Sequence, residues 1–146
     1  MTLSRSEPRA ARVIRIVAAL AMNEDGKTLL VRKRGTAAFM QPGGKPNAGE
    51  QPLVALDREI REELGCGVQP GSGRNLGTFS APAANEPGST VRAELFAIRL
   101  SGVAEAQAEI EEAIWVDPFA LDGLVLAPLT ETHVMPLARE MKRLDA

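Results

Sequence analysis

Residues 44–66 read GKPNAGEQPLVALDREIREELGC, and the fold of the chain turns on this stretch. Proline is tolerated only in the first turn of a helix, so Pro52 marks a helix start. Glycine takes the left-handed conformation freely, so Gly65 marks its end. The spacing predicts a helix from about Glu50 to Leu64. Leu53, Leu56, Ile60 and Leu64 recur at intervals of three and four and form an apolar stripe for a core. Glu59, Glu62 and Glu63 lie on the other side, where the same intervals bring three carboxylates together. That grouping is locally unfavourable: like charges repel by roughly 0.2–0.5 kcal/mol per pair, and the last turns of a helix prefer cations. Arg58 and Arg61 relieve part of the repulsion. A bound divalent cation would relieve more, and oxygen-rich carboxylate sites suit Mg²⁺ or Mn²⁺. The plain alternative is a solvated acidic face.

Outward from the helix, strands and turns alternate. The segment RVIRIVAALAM reads as a strand, then Asn23–Gly26 as a turn, then Thr28–Arg32 as a second strand, which together predict a hairpin. Residues 35–49 are rich in glycine and proline and form a loop, with a short strand through Phe39–Gln41. After the helix, Leu76–Ala81 and Val91–Leu100 read as paired strands around the turn-rich PAANEPGS. Glu112–Val116 leads into one more strand, and Thr130–Leu144 into a closing helix. The order without strict alternation predicts an α/β (α+β) fold, a mixed sheet with helices on its faces.

Composition narrows the function. The chain has 146 residues, 45% hydrophobic and 25% charged, the balance of one globular domain. Residues 1–10 read as a flexible tail and residues 11–146 as a single domain. A net charge of −2 supplies no global field for a nucleic acid polymer or an anionic membrane. The apolar run Val13–Met22 is broken by Arg15 and is too short to span a bilayer. The single cysteine, Cys66, excludes a disulfide framework, and a cytoplasmic setting is the expectation.

The stretch from 44 to 66 resembles the Nudix box, G-x5-E-x7-R-E-U-x-E-E-x-G-U, where U is aliphatic. Gly44, Glu50, Arg58, Glu59, Glu62, Glu63 and Gly65 meet every fixed position, and Ile60 fills the first aliphatic slot. Cys66 in the last slot departs from the pattern, though cysteine packs as a small hydrophobe. Seven fixed matches arise by chance on the order of 10⁻⁹ per start position at average residue usage. The resemblance to the Nudix hydrolase family implies an α/β/α sandwich, a Mg²⁺ or Mn²⁺ cofactor, and cleavage of a diphosphate linkage in a nucleoside-diphosphate-type small molecule. It further implies that Glu59, Glu62, Glu63 and the Gly44 carbonyl are metal ligands, and that Arg58 and Glu50 orient a carboxylate of the box without touching substrate.

Some relatives recruit another glutamate from a later loop. Here Glu109 comes first, six residues before Trp115, then Glu112, with Glu111 also present; a solvated acidic loop is the alternative for each. Lys45 could meet a phosphate or stay solvated. Trp115 and Phe79 read as packing residues, His133 as structural, and Cys66 as unsuited to be a nucleophile. Nucleoside di- or triphosphates fit the compact length best. ADP-ribose-like sugars come next, since Pro82 lies sixteen residues beyond Cys66. The absence of tyrosine argues against dinucleoside polyphosphates. A sensor module that binds a nucleotide or ADP-ribose without cleaving it is the competing reading, and monomer and homodimer remain equally open.

Overall fold

The computed structural model describes residues 12–145, so the expected tail over residues 1–10 lies outside the described residues. The strands are β1 (Arg12–Ala21), β2 (Thr28–Lys33), β3 (Phe39–Met40), β4 (Gly43–Gly44), β5 (Arg74–Pro82), β6 (Ser89–Ile98) and β7 (Ile110–Val116). The helices are α1 (Pro52–Leu64) and α2 (Met135–Leu144), the latter preceded by a π-helical turn at Thr130–Val134.

The strands form two sheets, ordered β4-β1-β6-β5 and β3-β2-β7. β1 and β6 run parallel, in register from Arg12↔Ser89 to Ala21↔Ile98, while their other pairings are antiparallel. The expected hairpin of β1 and β2 is corrected. Its turn forms, with Asn23 Oδ1 accepting from the Asp25 and Lys27 amides at 3.0 and 2.9 Å. Beyond the single bridge Met22↔Thr28, however, the strands part company. The reason is edge occupancy: β1 gives one edge to β6 and the other to β4, through Val17↔Gly44 and Ala18↔Gly43. β2 in turn is flanked by β3 and β7.

Period-two alternation shows how the layers stack. Val17, Ala19 and Ala21 of β1, Leu29 and Val31 of β2, and Phe96 and Ile98 of β6 share one apolar cluster with Leu56, Ile60 and Leu64 of α1. The intervening residues Ala18, Leu20, Leu30, Ala93 and Leu95 share the other with Val134, Met135 and Ala138. Helix α1 therefore covers one face of the strand layer and α2 the other, the expected α/β/α arrangement.

Two local details differ from the expected pattern. Leu53 is 38% exposed, and Ala55 completes the buried stripe of α1 in its place. The closing helix does not run as a regular α-helix from Thr130. Pro136 lacks an N–H and its ring crowds the preceding turn, and the chain widens there, with the Met135 amide donating to the Thr130 carbonyl in an i→i−5 bond.

Gly43 is the tightest point of the framework. Its φ is +147°, and a Cβ there would overlap the Val17 carbonyl oxygen and stand 2.9 Å from Ala18 Cα, both backbone atoms. Gly43→Ala should lower unfolding free energy by about 2 kcal/mol or more, measured by urea denaturation; an unchanged midpoint would show that β4 is not held against β1 as described.

Candidate active site

Helix α1 starts at Pro52 behind an extended Gln51, and ends at Gly65 (φ +73°), whose amide donates to the Arg61 carbonyl. Glu50 thus lies in the loop before the helix rather than on it, a small correction to the expected boundary. Arg58 reaches back to it with both arms, Nε to Glu50 Oε2 at 2.8 Å and Nη2 to Glu50 Oε1 at 2.9 Å. The Arg58 guanidinium, with the Asn47 amide, holds the Glu50 carboxyl down at about 2. Arg58 Nη1 then donates to Glu59 Oε2 and Glu62 Oε1, each at 3.0 Å, and Nη2 to the Lys45 carbonyl at 3.1 Å. One side chain ties the loop to two of the three clustered glutamates.

The β1–β4 pairing brings Gly43 and Gly44 against the same helix. A Cβ on Gly44 would fall on the Glu59 carboxylate, so only glycine lets the backbone approach that group. The Gly43 amide donates to Glu63 Oε1 at 3.3 Å. Burial, helped by the neighbouring charges of Glu59 and Glu62, pushes the Glu63 carboxyl up to about 8 against the pull of the Gly43 amide and Lys33.

The loop before β7 is pinned to the end of α1. The Glu105 and Gln107 amides donate to the Leu64 and Glu63 carbonyls, each at 2.9 Å, satisfying acceptors that a helix end leaves open. Ala108 follows with φ +54°, the one non-glycine residue at positive φ among the described residues. Glu109 comes next, its carbonyl accepting from the Arg34 amide at 2.8 Å.

These elements surround a cavity of about 390 Å³. Glu59, Glu62, Glu63 and Glu109 line it together with Gly43, Gly44, Lys45 and Lys33. Its apolar walls come from both sheets, Ile14, Ile16 and Val91 from one and Val31, Met40 and Ile110 from the other. The cavity sits where the sheets diverge. Of the three later glutamates, Glu109 alone reaches it: Glu112 pairs with Arg32 at 2.7 Å and Glu111 with Arg34 at 3.2 Å. Trp115, Phe79 and His133 lie elsewhere. Trp115 is on β7, and His133 packs on Phe79 with centroids 5.0 Å apart and bonds to the Ser80 carbonyl at 3.2 Å. Cys66 is buried in the α1 core. Sequence reading missed Lys33, Gln41 and the 83–86 segment, which also line the cavity; none carries a local signal, because each arrives there through long-range pairing.

Among the described residues, no three acidic, His or Cys side chains close around a single point as a metal cage. Arg58 Nη1 holds the Glu59 and Glu62 carboxylates to itself. The donor set nevertheless fits a hard divalent cation: oxygen ligands only, a backbone carbonyl made approachable by Gly44, and a partly buried Glu63 that forms no salt bridge among the described residues.

The sequence profile of the NUDIX domain matches residues 13–137. The chain belongs to the NUDIX family. Members of the family generally use divalent cations. Two curated relatives match over shorter segments: an RNA pyrophosphohydrolase of Halorhodospira halophila (strain DSM 244 / SL1) is 45% identical over 51 residues, 35% of this chain and 28% of the relative. An 8-oxo-dGTP diphosphatase of Haemophilus influenzae (strain ATCC 51907 / DSM 11121 / KW20 / Rd) is 40% identical over 58 residues, 37% of this chain and 43% of the relative. The matched segments thus span less than half of either relative. Among solved structures, the E. coli ORF135 protein superposes with a TM-score of 0.69 at 25% identity, covering 96% of both chains. The MutT NUDIX hydrolase from Burkholderia pseudomallei gives a TM-score of 0.69 at 24% identity, covering 88% of this chain and 97% of that one, a likeness of fold. No helix among the described residues is long and apolar enough to cross a membrane.

The raised Glu63 carboxyl makes metal-free stability depend on pH. Unfolded, it ionises near 4.5; folded, near 8. The folded state therefore binds the proton more tightly, and its advantage is complete below 4.5 and lost as pH rises through 8. In EDTA, the melting temperature should fall between pH 5 and 8 from this group, and Glu63→Gln should flatten that slope. The same slope in the variant would assign the effect elsewhere.

Proposed function

We propose that this NUDIX chain is a divalent-metal-dependent pyrophosphohydrolase that cleaves the diphosphate linkage of a nucleoside-diphosphate-type substrate, nucleoside di- or triphosphates ahead of ADP-ribose-like sugars. The observation that carries the proposal is the convergence of three helix glutamates, Glu109 and two lysines on one cavity beside a glycine backbone. Glu59, Glu62, Glu63 and the Gly44 carbonyl would hold Mg²⁺ or Mn²⁺. Bound there, the cation would neutralise diphosphate oxygens and lower the pKa of water.

The chain's own residues have separate tasks. Arg58, anchored by Glu50, fixes where Glu59 and Glu62 point. Lys33 and Lys45 supply positive charge on the cavity wall for phosphate oxygens. Glu109, carried on the loop that caps α1, lines the same cavity as the helix carboxylates and would accept a proton from the attacking water. The apolar walls exclude bulk water and strengthen each of these interactions. A buried single thiol and the lack of a disulfide suit the cytoplasm.

A panel of canonical and oxidised nucleoside triphosphates, ADP-ribose and dinucleoside polyphosphates, each with Mg²⁺, Mn²⁺ or EDTA, tests the proposal. Metal-dependent phosphate or nucleotide release from one compound is the expected result. Tight binding of one member without cleavage would replace the enzyme by a nucleotide sensor. Glu63→Gln should cut kcat on the order of 10²–10⁴-fold, and Glu109→Gln should lower kcat more than it changes KM. Wild-type rates in Glu63→Gln would refute the ligand assignment.

A further inference from the structure

Gln41 and Thr130 form a buried polar pair on the wall of the same cavity. Thr130 Oγ1 donates to Gln41 Oε1 at 2.7 Å across 89 positions of sequence, and Gln41 lines the cavity while only 7% exposed. Backbone pairing delivers the two residues to each other. The Phe39 amide donates to the Val125 carbonyl at 2.8 Å, and the Ala127 amide to the Phe39 carbonyl at 2.9 Å. Gln41 and Thr130 lie two and three residues further along these paired segments. Thr130 sits at the start of the π-helical turn, fully buried.

The pair has a fixed polarity. The Thr130 hydroxyl makes one hydrogen bond, so donating to Oε1 uses its proton, whereas accepting from the amide nitrogen would leave that proton buried and unpaired. Gln41 is thereby held with Oε1 toward Thr130. Among the described residues the Gln41 amide nitrogen donates to no protein acceptor, and it is not among the fully sealed unpartnered atoms, while Gln41 itself lines the cavity. The same cavity has apolar lining from Ile14, Ile16, Val91 and Leu129 against which a flat ring could pack.

We propose that Gln41, locked by Thr130, reads the nucleobase, and that its free N–H donors select a base with a carbonyl at purine position 6 or pyrimidine position 4, guanine or uracil, over one with an amine at that position, adenine or cytosine. An amine would set donor against donor and leave both unpaired. This rests on the hydrolase reading above and deepens it by naming the class of base.

The test compares kcat/KM for GTP, UTP, ATP and CTP with Mg²⁺ in the wild type and in the double variant Gln41→Leu with Thr130→Val. Removing both partners of a buried pair is close to neutral for folding, so circular dichroism should show an intact protein. The wild type should favour GTP and UTP by about tenfold or more, and the variant should bring the ratio close to one through KM. Gln41→Glu, which keeps an acceptor for Thr130 but presents another acceptor to the base, should shift the ratio toward ATP and CTP. Turnover with no base preference, or a preference that survives in the double variant, overturns this inference while sparing the hydrolase reading. If no nucleotide is cleaved, the hydrolase reading fails separately. Calorimetric titration of GMP, UMP, AMP and CMP then decides the base preference, and equal or absent binding refutes it.

Discussion

The close approach of the Gly43–Gly44 backbone to both β1 and α1 is the constraint from which the rest of the site follows. A side chain at 43 would strike the backbone of Val17, and one at 44 would strike the Glu59 carboxylate. With neither present, a two-residue strand fills the edge of β1 and sets a carbonyl beside the helix glutamates. The same pairing denies that edge to β2. What begins as a hairpin at Asn23–Gly26 therefore opens into two sheets, and the opening becomes the cavity.

Charge balance within the site depends on Arg58. Three glutamates at intervals of three and four near a helix C-terminus repel one another and oppose the macrodipole. Arg58 bonds to two of them and to Glu50, which anchors it with a two-point contact. Glu63 is left outside this network. Among the described residues its side chain takes one hydrogen bond, the 3.3 Å one from Gly43, and burial pushes its carboxyl up to about 8. A divalent cation would meet the one helix carboxylate that Arg58 does not reach, releasing that proton on binding.

The groups proposed for catalysis and for base selection reach the cavity along different routes. The carboxylates arrive on α1 and on the loop that caps it, where the Glu63 and Leu64 carbonyls receive the Gln107 and Glu105 amides. Gln41 and Thr130 arrive from the opposite side, on the β3 segment and the π-helical turn before α2. A rigid helix thus carries the chemistry proposed for every substrate, while the strand end and the widened helical turn carry what would distinguish one base from another.

The sequence by itself determined the helix from the 52–64 region, because Pro52, Gly65 and an apolar stripe are local signals that act over a few residues. It also determined the grouping of Glu59, Glu62 and Glu63, since helical geometry fixes which side chains share a face. The strands were legible from β-branched runs, but their partners were not. Tertiary structure decided that β1 pairs with β4 and β6 and not with β2, because an edge can be filled only once and the competition is settled by distant segments. It likewise decided that Glu109 lines the cavity while Glu111 and Glu112 pair with Arg34 and Arg32. Four residues of sequence hold all three glutamates, and only the turn at Ala108 and the register of β7 separate them. Gln41 meeting Thr130 is the extreme case: neither residue belongs to a local pattern, and the contact exists because backbone hydrogen bonds between residues 39 and 125–127 bring remote parts of the chain into register.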